Sequence, residues 1–149
     1  MIAAGTPAPD FTLKRADDTG FTRADLEGKT TVLVFYPFAF SPVCTDQLNL
    51  YEEVLSDLHA RGATMYGVSC DATWSQTAFK ESLGVTIEQL SDFEPKGGTC
   101  RAFGAYHPEG FPQRALVIVG PDCIVRWSYQ APSPDDLPGA NLIFDALDA

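Results

Sequence analysis

Basic residues are scarce in this chain: ten Lys+Arg stand against twenty Asp+Glu, a formal charge of −10. That balance repels polyanions, so nucleic acid and anionic membrane surfaces are not expected as partners. No run approaches the roughly 20 apolar residues that span a bilayer, and the start, Met1 to Pro7, lacks the charged and long apolar regions of a secretion signal. A cytoplasmic protein is expected. The two histidines, His59 and His107, lie far apart, and the four cysteines, Cys44, Cys70, Cys100 and Cys123, are spaced 26, 30 and 23 residues apart, with no C-x-x-C. Neither set has the tight pairing of a zinc site, so no metal and no cofactor are expected. A chain of 149 residues, 45% of them hydrophobic, can bury a core without cross-links. One domain over residues 1–149 is expected, with its cysteines free for chemistry.

The hydrophobic pattern places the elements. Thr30 to Tyr36 is β-branched and aromatic, nearly continuous in hydrophobicity and stopped by Pro37, which predicts a strand buried on both faces. From Thr45 to Ala60, Leu48, Tyr51, Leu55 and Leu58 recur at helical spacing, with Gly62 as a stop. A strand over Ala63 to Cys70 follows, then a helix over Trp74 to Leu83 capped by Asp71 or Thr73. A short strand at Gln89 to Ser91 and a helical turn after Pro95 come next. Ala115 to Val119 and Ile124 to Gln130 flank the turn Gly120-Pro121-Asp122-Cys123 and read as an antiparallel hairpin. Leu137 to Leu147 reads as a closing helix. Near the start, Phe11 to Lys14 and Phe21 to Arg23 bracket Asp17-Asp18-Thr19-Gly20, a second hairpin. This order resembles an α/β thioredoxin-like fold, a central mixed sheet flanked by helices, with an N-terminal β-hairpin extension.

The chemistry concentrates between the first long strand and the first long helix, in Tyr36-Pro37-Phe38-Ala39-Phe40-Ser41-Pro42-Val43-Cys44. Two prolines mark a rigid turn at the carboxyl end of a strand, where open α/β sheets place their sites. Cys44 falls in the first helical turn, where unpaired N–H groups and the helix dipole favour a thiolate. An arbitrary free cysteine is more often a buried apolar residue; the residues flanking Cys44 argue otherwise.

Pro37-x-x-x-Ser41-x-x-Cys44 matches the peroxiredoxin signature Pro-x-x-x-Thr/Ser-x-x-Cys. Together with Leu90-Ser91-Asp92-Phe93 and Arg114-Ala-Leu-Val-Ile-Val followed by Pro-Asp-x-Ile-Val-Arg, the chain resembles the alkyl hydroperoxide reductase E branch of that family over almost its whole length. The resemblance implies a thiol-dependent peroxidase, an antioxidant enzyme acting on hydrogen peroxide and organic hydroperoxides. It implies Cys44 as the peroxidatic cysteine, Ser41 as its hydroxyl partner, Pro37 as the loop-shaping residue and Arg114 as the arginine brought beside the thiolate. Without it, Arg114 ranks level with Arg101 and Arg126. Gln47 stands where relatives often have Glu. The chemistry asks for these types: breaking an O–O bond needs an ionised nucleophile and donors on the oxygen that leaves with negative charge. Backbone N–H groups of Val43 and Cys44 would add donors, and Phe38, with Val43 and Gln47, would contact substrate. Tyr36, Phe38, Phe40 and Trp74 read equally as an apolar entrance, as core or as a dimer contact.

Attack leaves a sulfenic acid that a second thiol must resolve. Cys70 and Cys100 are candidates, Cys70 because its strand should neighbour the Cys44 strand; Cys123, in a hairpin turn, is the weakest. The leading expectation is a single surface-accessible catalytic cysteine and an external reductant: thioredoxin, a mycoredoxin or a low-molecular-weight thiol. A homodimer or larger homo-oligomer is expected. The alternatives are a peroxide-sensing thiol protein that relays oxidation to a partner, an inert scaffold, and a disulfide carrier, for which Ser41 stands where the first cysteine should be.

Overall fold

The computed structural model describes residues 1–149. Its strands are β1 (Thr12–Lys14), β2 (Gly20–Thr22), β3 (Thr30–Phe35), β4 (Ala63–Ser69), β5 (Glu88–Ser91), β6 (Tyr106–His107), β7 (Phe111–Pro112), β8 (Ala115–Val119) and β9 (Val125–Gln130). Its helices are α1 (Pro42–Glu53), α2 (Leu55–Ala60), α3 (Thr73–Leu83), α4 (Gly98–Ala102) and α5 (Ala140–Asp148). Seven strands form one sheet in the order β2-β1-β5-β4-β3-β8-β9. β3, β4 and β5 run parallel, and β8, β9 and the β1–β2 hairpin are antiparallel to their neighbours. The mixed thioredoxin-like sheet and its N-terminal hairpin are as the pattern predicts. No helix is long and apolar enough to cross a membrane.

Side-chain alternation along the strands sorts the interior into two cores. Val32, Val34 and Tyr36, with Leu116 and Ile118, meet Leu48 and Tyr51 of α1, Phe79 of α3 and Ile143 of α5. Leu33 and Phe35, with Val117 and Val119, meet Phe11, Phe21, Cys100 and Phe103 on the other face. Cys44 belongs to the first core, Cys100 and Cys123 to the second, and Cys70 packs against the second. The third strand is therefore buried on both faces because both cores need it.

Four local expectations are corrected. The first long helix starts at Pro42, whose missing N–H costs nothing at the first helical position. It also breaks at Val54 (φ −108°, ψ 6°), where an N–H bond to Tyr51 O replaces the helical one. Leu48, Tyr51, Leu55 and Leu58 are all buried across that joint, so the apolar period hides it. The last helix starts at Ala140, not Leu137, because Pro138 and extended Gly139 (ψ 149°) hold the chain open. No side chain caps α3; its N-cap is Ala72, and the Asp71 carboxylate instead accepts the Ala39 N–H at 2.8 Å. The β6–β7 ribbon is too short to show a period.

Candidate active site

The site forms where β3 hands over to α1 and where β8 begins. Ser41 is the N-cap, Pro42, Val43 and Cys44 make the first turn, and the helical ladder opens with Thr45 N–H to Ser41 O at 2.9 Å. The N–H groups of Val43 and Cys44 precede that bond and have no intrahelical partner. Arg114 stands one residue before β8, in step with Leu116 and Ile118, and so enters the same core as Cys44. It is 2% exposed.

All three arms of that guanidinium are engaged. Nη2 donates to Cys44 Sγ at 3.1 Å, Nη1 to Gln47 Oε1 at 2.6 Å and Nε to Pro134 O at 2.7 Å. Gln47 is oriented in turn, its Nε2 donating to the Tyr51 hydroxyl at 3.2 Å, which donates to Pro138 O at 2.7 Å. Burial pushes the Tyr51 phenol up to about 12, so it stays a neutral donor. Gln47, like Tyr51, has no exposed surface, and because it is neutral it holds Arg114 without cancelling its charge. That charge faces the sulfur at low effective dielectric.

Cys44 itself has no exposed surface, which corrects the expectation of a surface-accessible thiol: its side chain points into the core formed by β3, α1 and β8, against Arg114. Arg114 connects it to a cleft of about 360 Å³ lined by Pro37, Phe38, Ser41, Val43, Phe111 and Pro134, among others. Pro37, Ser41, Val43, Phe38 and Arg114 thus gather at one opening, while Gln47 lies behind Arg114. The Ser41 hydroxyl donates to Phe38 O at 2.9 Å, not to the sulfur; its lone pairs remain for another donor. Phe38 leans on Phe111, ring centroids 5.3 Å apart.

The other aromatic candidates lie elsewhere. Tyr36 is buried and donates to Gln89 Oε1, Phe40 packs on Phe79 and Trp74 lies beside Asp17 and Asp18. Arg101 stacks on Tyr106 and Arg126 meets Asp122 at the surface. Cys70 does neighbour the Cys44 strand, since β3 and β4 pair. One step of strand parity nevertheless sends it to the opposite face, where it meets Cys100. Cys123 Sγ is occupied by Arg23 O at 3.7 Å. Sequence reading missed Tyr51, Pro134, Pro138, Phe111 and Asp71. Tyr51 sits on the apolar stripe of α1 and reads as core; the two prolines act through carbonyls, which carry no sequence signal.

A single thiol at a helix start, faced by a fixed guanidinium on a thioredoxin-like sheet, defines a cysteine-based redox protein and not a disulfide carrier. Within that class the match is specific: the AhpC/TSA family model covers residues 4–128, and the chain belongs to that family of peroxiredoxins. It is 28% identical over 151 residues to alkyl hydroperoxide reductase E of Mycobacterium bovis, covering all of this chain and 98% of that protein. It is 29% identical over 136 residues to peroxiredoxin 2 of Thermoplasma acidophilum, covering 87% and 67%. The crystal structure of Enterococcus faecalis AhpC superimposes with a TM-score of 0.88 at 25% identity, covering 99% of this chain and 92% of that one.

Proposed function

We propose that this peroxiredoxin reduces hydroperoxides through Cys44, with Arg114, Ser41 and the Val43 and Cys44 N–H groups as its electrostatic partners and Pro37 shaping the opening. The observation that carries the reading is the 3.1 Å contact from Arg114 Nη2 to Cys44 Sγ, inside a guanidinium held by a neutral amide. The Cys44 thiolate attacks one peroxide oxygen and the O–O bond breaks. The electron pair leaves on the other oxygen, whose charge meets Arg114 and the N–H donors before a proton completes the alcohol or water. Cys44 is left as a sulfenic acid. One external thiol then displaces water to form a mixed disulfide, and a second releases Cys44 as thiol and carries away the disulfide. An external reductant, whether thioredoxin, a mycoredoxin or a low-molecular-weight thiol, is supported by the placement of the other three cysteines away from the Cys44 core.

The apolar rim of Phe38 and Phe111 suits organic hydroperoxides as well as hydrogen peroxide. Exposed Phe38, Phe40 and Trp74 support a homodimer or larger assembly of a single 1–149 domain. Four unpaired thiols support a reducing, cytoplasmic setting. The peroxide-sensing alternative is not favoured.

Reduced protein given one equivalent of hydroperoxide should gain one oxygen on Cys44 within seconds by intact mass and peptide mapping, and lose it on adding thiol. No change in mass would overturn the reading.

A further inference from the structure

Outside the Cys44 core lies one cluster of reactive side chains that the peroxidase site does not use. Cys70 follows β4, Asp92 follows β5, and Cys100 sits in α4; their sulfur and carboxylate atoms all fall within 4.8 Å of one another. Three hydrogen bonds fix the frame. Asp92 N–H donates to Ser69 O at 2.8 Å, joining the ends of β4 and β5. The Asp92 carboxylate then accepts Thr99 N–H at 3.0 Å and Cys100 N–H at 2.8 Å, pinning the start of α4. Gly97 precedes α4 at φ +70°, and a Cβ there would overlap the Tyr106 ring, so glycine is required for the chain to turn there.

The two thiols are unequal in a useful way. Cys70 is half-buried, whereas Cys100 has no exposed surface. The Cys100 thiol beside it, with Lys96 and the Gly97 N–H, holds Cys70 below the ordinary thiol range despite burial and the Asp92 charge. Cys100 is pushed far up by Cys70, burial and Asp92 and stays protonated. A half-exposed thiol that ionises more readily than ordinary, backed by a buried partner thiol, is the arrangement a dithiol needs to be oxidised and closed. A metal is the competing occupant, but both Asp92 oxygens already serve α4 and only two sulfurs remain, short of a closed four-ligand site.

We propose that Cys70 and Cys100 are a second, self-contained redox site, a dithiol that hydroperoxide converts to an intramolecular disulfide on the face of the sheet opposite Cys44. The Cys70 thiolate attacks the O–O bond, giving alcohol and a Cys70 sulfenic acid after one proton is taken up. The Cys100 sulfur then attacks that sulfenic sulfur, its proton leaving with the hydroxyl as water. In sum, dithiol plus ROOH gives disulfide, ROH and water. Closure needs the sulfurs to move from within 4.8 Å to about 2.05 Å. No guanidinium faces Cys70, so this oxidation is slower than that of Cys44, on the order of 100-fold or more, the scale of a missing oxyanion donor. It therefore responds to excess peroxide.

The test is independent of the Cys44 reading. Reduced Cys44→Ser protein, given excess hydrogen peroxide, should lose two hydrogens by intact mass, and a non-reducing peptide map should link Cys70 to Cys100. With Cys100→Ser added, Cys70 should instead gain oxygen. Wild-type protein titrated with peroxide gives the same information without a variant: one oxygen on Cys44 first, then the loss of two hydrogens. Oxygen added to Cys70 with Cys100 intact and no disulfide would overturn the proposal, as would a Cys44–Cys70 link. So would one zinc per purified chain, held until both thiols are alkylated.

Discussion

Arg114 Nη2 lies 3.1 Å from Cys44 Sγ although 70 residues separate them. The pair is brought together by the antiparallel partnership of β3 and β8, which sets Ala115 opposite Phe35 just ahead of the loop that delivers Cys44. On the proposed mechanism, removing the guanidinium leaves the sulfur without its cation and the leaving oxygen without its main donor. Arg114→Ala should lower the rate of peroxide reduction by roughly 10²–10³-fold, about 3–4 kcal/mol of transition-state stabilisation, and Arg114→Lys should recover part of it. Stopped-flow fluorescence with single turnovers measures this, and a rate within threefold of wild type in Arg114→Ala would contradict the assignment.

Neutral Gln47 leaves the charge of Arg114 undiminished. Gln47→Glu is nearly isosteric but places an anion 2.6 Å from Nη1, so the sulfur should feel a smaller net positive field. Alkylation of Cys44 by iodoacetamide at neutral pH should slow by more than tenfold, about 2 kcal/mol for a unit charge roughly 8 Å from the sulfur at an effective dielectric near 20. An unchanged alkylation rate would show that Gln47 acts by shape alone.

Tyr51 ties the site to the loop before α5 through its bond to Pro138 O. Tyr51→Phe removes a buried hydroxyl and strands both the Gln47 amide and the Pro138 carbonyl, which should cost about 1–3 kcal/mol in urea unfolding. The peroxidatic rate should fall less than in Arg114→Ala, because Arg114 keeps Pro134 O.

Burial raises the folded-state phenol of Tyr51 from 10 to about 12 and raises Tyr36 further. The folded state therefore holds these protons more tightly than the unfolded chain does. Their contribution to stability is whole below pH 10 and is lost as pH rises from 10 towards 12. Melting temperature should be flat with respect to these groups up to pH 9.5 and decline above it, with a shallower decline in Tyr51→Phe.

Phe111 supports Phe38 at the mouth of the cleft. Phe111→Ala should reduce turnover of cumene hydroperoxide about tenfold, in line with the loss of an aromatic contact, while changing that of hydrogen peroxide less than twofold. Equal losses on both substrates would point to a general loosening of the loop.

The local signals were legible in the sequence. Pro37, Ser41, Pro42 and Cys44 mark the strand-to-helix turn because proline restricts the backbone within a residue or two and the motif spacing is local. The continuous apolar run of β3 announces a strand buried on both sides for the same reason. The break at Val54 was not legible, because the apolar period continues across it, and neither were Pro134 and Pro138, whose carbonyls look alike in any sequence.

Which cysteine and which arginine meet was a matter of strand parity and sheet order. Arg114, Arg101 and Arg126 are equivalent as residue types, and only the register of β8 against β3 sends the first inward to Cys44. By the same physics, one step past Ser69 turns Cys70 away from Cys44 and towards Cys100. Sequence by itself determined where Cys44, the proposed nucleophile, sits and what its turn looks like; tertiary structure decided its partners, because a side chain's face depends on pairings made far along the chain.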